Sequence, residues 1–537
     1  MWSRTWWGDG MNPVETFELV LVLLAAVIVL HWVADRIALP PSAALLVGGG
    51  ALAFVPGLPE FSLDPELALV LFLPPLLLDG AYFTAFGRFR RHLPGIISLA
   101  LGAVVFTTLV VGLVTHWLVP ALPMAACFAL GAIVSPPDAV AARAVLQRVT
   151  LPRRLQALLE GESLLNDATG LVLFRFAVVA TLSGAFDAAS AVGSFMFLAI
   201  GGVLVGAIVG GAWMLVLRRL RDQTLVVATS TLLCWSAYLA GEAVHVSGVI
   251  ATVTAGLVFG WYQHVIFPAR VRLQGHAFWR TLVFSLEALI FILIGFSLRG
   301  TLERVGGIDE VVSGLAVPVM GVLAAVILAR FAWVFGIDAA LTGLHRAGWK
   351  RARPLGWRKA SVLGWTGMRG VVTLAVALTL PQEMPGRDLM LVASFAVILV
   401  TVVVQGGSLA WLIARVKPAD DDPPAQVDLP SAEAAVAHAK LVAAEEHAYG
   451  ADGTLLHPQL LNTYRKRAEA TDRYAEDATT FMADIRSHFD VMLIAIAAGR
   501  AELLRLHREG CIEDEVLHDL ERDLDLEELG IIFQRGD

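Results

Sequence analysis

Thirteen long apolar runs fill the first 417 residues of the chain. About 20 apolar residues in helical form cross a hydrocarbon core of about 30 Å. A spanning segment must also satisfy its own backbone hydrogen bonds, which a helix does alone. The cores of the runs lie at 15–34, 41–57, 65–84, 94–119, 122–146, 155–182, 188–217, 223–241, 246–262, 280–298, 310–341, 359–380 and 388–415. The chain therefore reads as an all-α polytopic membrane protein with 13 transmembrane helices. Charged residues are only 16% of it, against about 25% in soluble domains. The opening MWSRTWWGDG lacks the basic-then-apolar order of a cleaved signal. The first run is then a retained span, with Trp2, Trp6 and Trp7 placed at the headgroup level.

Loop charges orient the spans. The loops after spans 1, 3, 5, 7, 9 and 11 carry arginine or lysine throughout, as in RFRRH, RRLRD and HRAGWKRARPLGWRK. The alternate loops hold only Arg299, Arg304 and Arg387. By the positive-inside rule the N-terminus lies outside and the tail in the cytoplasm. From residue 418 the chain turns polar and acidic through PADDDPPAQVDLP, then takes on helical periodicity. Two domains are expected: a membrane domain, 1–417, and a small soluble helical tail, 418–537. The tail histidines His438, His447 and His457 read as solvated. The three cysteines, Cys127, Cys234 and Cys511, are scattered and mark neither a disulfide framework nor a metal knuckle.

Ionisable residues inside spans cost at least about 2.5–3.5 kcal/mol each at a helix centre and are functional candidates by default. Here they are Asp79 in span 3, Asp138 in span 5, Glu162 and Asp167 in span 6, Glu287 in span 10, Arg330 in span 11 and Arg369 in span 12. Pro136 and Pro137 precede Asp138, so two helical donors are missing and the preceding turn is disrupted. Free carbonyls beside a carboxylate suit a hard cation such as Na⁺; the simpler alternative is a kink with Asp138 at a wet helix end. Span 12 has its own interruption, GWTGMRG, with Gly364, Gly367 and Gly370 around Arg369. Interruptions at equivalent places of two halves are the mark of crossed broken helices in inverted repeats. Spans 1–6 and 8–13 would be those repeats, crossing at spans 5 and 12, although glycine also serves close helix packing.

In span 6 the stretch GESLLNDATG offers two adjacent faces. Ser163 and Asp167 share one, Glu162 and Asn166 the other, because residues four apart lie together. Asp167 with Ser163 completes an oxygen shell begun at Asp138. Glu162 needs a buried arginine, with Arg369 the first candidate and Arg330 the second. Arg175, farther along the span, has no evident partner.

The combination LFLPPLLLDGAYF, SPPDAVAA, GESLLNDATGLVLF and WTGMRGVVTLAVAL resembles the monovalent cation:proton antiporter family of sodium/proton exchangers, in its bacterial branch with a cytosolic tail. The motifs match in order over about 400 residues. The resemblance implies a plasma-membrane homodimer of 13-helix protomers, each with a dimerisation and a core subdomain, working by elevator-type alternating access. It implies that Asp138 and Asp167 bind Na⁺ and exchange the proton, that Ser163 adds a hydroxyl, and that Asn166 holds the crossing. The Asn166-Asp167 pair marks electroneutral one-for-one exchangers. By the same resemblance Glu162 pairs with Arg369, and Asp79 lies on the ion passage, to which Glu287 is also assigned. Where the commoner pattern has threonine this chain has Pro137, so any ligand there is its backbone carbonyl. That departure leaves K⁺ or Li⁺ open beside Na⁺.

Na⁺ and H⁺ are then substrates rather than cofactors, lipid is the surrounding partner, and neither an enzyme nor a nucleic-acid binder is expected. No TVGYG-type filter favours a channel, and no nucleotide loop or kinase signature in the tail favours a sensor.

Overall fold

Proline and glycine set where several of the apolar runs enter, interrupt or leave a helix. A computed structural model describes residues 13–37, 39–56, 65–138, 151–184, 188–307, 309, 311–349, 352–422, 427–450, 452–476 and 478–535. Trp2, Trp6, Trp7 and the second half of the fifth run, 139–146, lie outside them. Among the described residues the fold is all helix, with no strand.

The chain opens with α1 (Pro13–Arg36), α2 (Pro41–Ala53) and α3 (Pro65–Tyr82). Next come α4 (Phe86–Ile97), a π-turn (Ser98–Ala103) and α5 (Val104–Leu118), which form one long rod. The fifth run is helical only as α6 (Met124–Val134), after which Ser135–Asp138 leave helical geometry. The sixth to eleventh runs are α7 (Arg153–Ser183), α8 (Ala188–Leu217), α9 (Gln223–Ala243), α10 (Gly248–Ile266), α11 (Ala269–Phe296) with the short α12 (Leu298–Arg304), and α13 (Ala316–Arg346). The twelfth run is two short helices, α14 (Trp357–Trp365) and α15 (Val371–Leu378), with non-helical Thr366–Gly370 between them. The thirteenth is α16 (Arg387–Val400), a π-turn (Thr401–Gly406) and α17 (Gly407–Val416).

Eight of the described helical stretches are long and apolar enough to cross a membrane, and α2 and α6 are shorter apolar helices. The expected count of 13 therefore stands as eight by that measure. Broken runs such as the twelfth divide their apolar residues between pieces too short to qualify. The exposed side chains of α8, among them Phe197, Ile200, Leu204 and Ile208, are apolar, as a lipid-facing or partner-facing helix requires. Close packing is arranged with glycine: along α8, a Cβ at Gly202 would lie 2.8 Å from the Ser247 carbonyl, and one at Gly206 would overlap the Ala251 carbonyl of α10.

The chain divides into two compact units, Met1–Asp422 and Pro423–Asp537. The division falls inside the expected Pro/Asp linker. The second unit is built from α18 (Leu429–His447), α19 (Pro458–Glu476), α20 (Ala478–Arg508) and α21 (Asp514–Arg535). Within it α20 and α21 pack around Phe489, Ile496 and Ile531. Arg500 of α20 bridges Asp525 at 2.7 Å and Glu528 at 2.5 Å. His438, read as merely solvated, is exposed but paired with Asp472 of α19 at 2.9 Å. Helical spacing alone does not reveal such a partner 34 residues away.

Candidate ion-binding site at a helix crossing

The break in α6 exchanges hydrogen-bond partners with the break between α14 and α15. In an uninterrupted helix the Asp138 N–H would donate to the Val134 carbonyl, four residues back. It donates instead to the Met368 carbonyl at 2.7 Å. The released Val134 carbonyl accepts from Arg369 Nε at 2.5 Å. Two residues earlier, Pro136 has no N–H for the Ala132 carbonyl, and Ser135 Oγ donates to it at 3.2 Å. The Ala132 and Val134 carbonyls thus each gain a named donor in place of the helical N–H they lack, as buried backbone requires.

The Asp138 carboxylate is half-buried against the second break. Its Oδ2 accepts the N–H of Val371, the first residue of α15, at 3.2 Å. A carboxylate at a helix N-terminus is favoured by the unpaired amides and the positive end of the helix dipole. Gly370 makes the approach possible, because a Cβ there would overlap Asp138 Oδ2. Arg369, among the most deeply buried large side chains, also donates to the Gly367 carbonyl at 2.8 Å, while its N–H donates to Thr401 Oγ1 at 3.0 Å.

α7 lies across this crossing. Gly170 lets it approach Pro136. Asn166 Nδ2 donates to the Pro137 carbonyl at 2.5 Å, and its Oδ1, buried, has no hydrogen-bond partner among the described residues. The two faces expected of GESLLNDATG separate by burial: Glu162 and Asn166 are buried, Ser163 and Asp167 only partly so. Asp167 follows Asn166 on α7, beside the contact that Asn166 makes with Pro137. The structure thus brings together Asp138, Pro137, Asn166 and Arg369, with Asp167 next to Asn166 in the chain of α7. Asp79 is buried in α3 and Glu287 half-buried in α11.

One expectation is corrected. Glu162 pairs with Arg330, not with Arg369, in a two-pronged bridge of 2.6 and 2.9 Å, and both side chains are almost wholly buried. Arg330 Nε further donates to the Leu363 carbonyl at 3.2 Å. The reason is the division of labour at the breaks: Arg369 is consumed by backbone carbonyls, so the neighbouring arginine takes the carboxylate. Planar guanidinium against carboxylate is the geometry arginine provides.

Other contacts were not anticipated. Arg175 lies 3.4 Å from Glu242 of α9. Asp338, buried near the end of α13, accepts the N–H groups of Leu355 at 2.5 Å and Gly356 at 3.1 Å, and so shapes the turn into α14. Only a distance-based signal would find these pairs, since their members lie 67 and 17 or 18 residues apart.

Fold and site together define a multi-pass helical membrane protein with carboxylates at the meeting of two interrupted helices. Comparison with known proteins sharpens this. The family model described as sodium/hydrogen exchanger, transmembrane, matches residues 20–415. An uncharacterised Na⁺/H⁺ exchanger of Mycobacterium bovis is 32% identical over 98% of both chains. A Bacillus subtilis protein named as a sodium, potassium, lithium and rubidium/H⁺ antiporter is 34% identical over 73% of this chain and 60% of its own. The sodium/proton antiporter structure from Methanocaldococcus jannaschii aligns with a TM-score of 0.60 at 20% identity, covering 77% of this chain and all of that one. The chain belongs to the sodium/hydrogen exchanger family.

Proposed function

We propose that the protein is a secondary-active Na⁺/H⁺ antiporter in which one cation and one proton compete for Asp138 and Asp167. The observation that carries this reading is the half-buried Asp138 carboxylate at the crossing, with Asp167 on the partly exposed face of α7. Two carboxylates in one low-dielectric site resist joint ionisation. A proton or a monovalent cation relieves that cost, but both together are not needed. If only the neutralised carrier reorients, one ion is exchanged for the other without leak.

In this reading Ser163 contributes its hydroxyl and Pro137 its carbonyl oxygen. Asn166 already donates to that carbonyl and so fixes its direction. One Na⁺ in place of one H⁺ leaves the carrier's charge unchanged, which makes exchange electroneutral. The same reading has 13 spans in two inverted repeats, an elevator movement of the α4–α7 and α13–α17 bundle, and a homodimer. The N-terminus lies outside and the tail inside the plasma membrane.

A second reading, K⁺/H⁺ or mixed-cation exchange, is favoured by Pro137, which supplies no side-chain hydroxyl, and by the four cations in the name of the Bacillus subtilis relative. Proteoliposomes with an imposed pH gradient test both. Addition of Na⁺, but less readily K⁺, should dissipate the gradient in the wild type, and Asp167→Asn should abolish the response. Robust exchange by that variant would overturn the site assignment.

A further inference from the structure

The segment after α17 is a connector in sequence, yet its three consecutive aspartates each reach a different helix of the membrane unit. Lys417, at φ 49°, turns the chain at the end of α17. Asp420 Oδ2 then accepts from Arg153 Nε at 2.7 Å, at the first residue of α7. Asp421 Oδ2 lies 2.5 Å from Lys359 Nζ on α14, whose side chain is buried. Asp422 Oδ2 lies 3.2 Å from His92 Nε2 on α4, both side chains only 11% exposed. Arg153 Nη2 also takes the Asp422 carbonyl at 2.9 Å, and the Asp422 N–H closes back on Asp420 Oδ1 at 3.2 Å. Five polar contacts in three residues make a folded strap, not a loose linker.

Two of the three helices it joins, α7 and α14, lead to the ion site. α7 carries Ser163, Asn166 and Asp167. α14 runs into Gly367–Gly370, against which Asp138 is held. Between the strap and the crossing, the same two helices are tied once more through Glu162, Arg330 and the Leu363 carbonyl. Arg153 precedes Asp167 by 14 residues, a helical rise of about 21 Å, so the strap acts at a distance.

We propose that Asp420–Asp422 is a clasp that positions α7 relative to α14 and thereby sets the cation affinity of the crossing. The aspartates are positioning residues: they act through the two helices and do not touch the ion. The Arg153–Asp420 pair is solvent-accessible, and pairs of that kind are individually weak and screened by salt; the clasp sits where the chain leaves the membrane unit for the tail. The inference rests on the antiport reading.

The test uses full-length protein in proteoliposomes, with choline chloride holding ionic strength constant. Wild-type exchange is measured first, so a failure of the antiport reading shows there and a failure of the clasp only in the variants. D420N/D421N/D422N should raise the KM for Na⁺ about fivefold, the lower end of couplings between separate sites. Its maximal rate per folded protein should stay within about twofold, as expected when binding rather than turnover is lost. The swap Lys359→Asp with Asp421→Lys should recover affinity relative to either single change. A wild-type KM in the triple variant, or a parallel fall of rate and folded yield with KM unchanged, would overturn the clasp.

Discussion

Gly370 is the residue on which the crossing depends most narrowly. Its missing side chain is the space occupied by Asp138 Oδ2. Gly370→Ala should therefore displace the carboxylate from the Val371 amide and cut exchange at least about tenfold, roughly the loss of one charge-assisted hydrogen bond of 1.5–3 kcal/mol. An alanine variant with wild-type KM and rate would show that Asp138 has no need of that position. The buried pair makes a second prediction. Arg330→Ala leaves the Glu162 carboxylate buried and uncompensated, a cost of about 3–5 kcal/mol. Folded yield in detergent should fall sharply, and Glu162→Leu combined with Arg330→Met should recover more of it than either single change. Equal losses in all three would count against the pairing. The break at Asp138 and the placing of Asn166 on the buried face of its helix were legible in the sequence because prolines and helical spacing act locally. The choice of Arg330 over Arg369 was not, because it depends on which arginine the freed Val134 and Gly367 carbonyls capture.

At the scale of elements, apolar length predicted where helices run, and prolines in one run and glycines in another predicted where two of them break. The Pro136-Pro137 pair ends α6 at Val134, and the glycine-rich stretch opens between Trp365 and Val371. Two prolines of α3, Pro74 and Pro75, look equally disruptive in sequence, yet α3 continues through them to Tyr82. The π-turns at Ser98–Ala103 and Thr401–Gly406 had no sequence signal. The second sits where Thr401 Oγ1 both donates to the Val397 carbonyl at 2.7 Å and accepts from Arg369, a contact set by the fold. Gly202, Gly206 and Gly210 form a spacing of four along α8 that admits α10, the small-residue packing used in membranes where no hydrophobic force drives association. Gly206→Ile should part these helices and lower the thermal unfolding temperature in detergent, without changing the cation preference of protein that remains folded. An unchanged unfolding temperature would refute the close seam.

At the scale of the whole molecule, the strongly apolar unit and the polar helical unit were both readable from the change in composition after residue 417. What composition hid is that Asp420–Asp422 belongs to the first unit, tied by side chains more than 60 residues away in sequence. In the proposed mechanism, cation and proton occupy one shared site. The most direct measurement is the apparent KM for Na⁺ as a function of pH in wild-type proteoliposomes, with internal pH fixed. Competition by a single proton predicts that KM rises as pH falls, approaching about tenfold per unit in the acidic limb, since binding then carries one proton of linkage. The maximal rate at saturating Na⁺ should stay constant over the same range. A KM independent of pH, with the maximal rate alone falling in acid, would contradict a shared site and place the proton elsewhere.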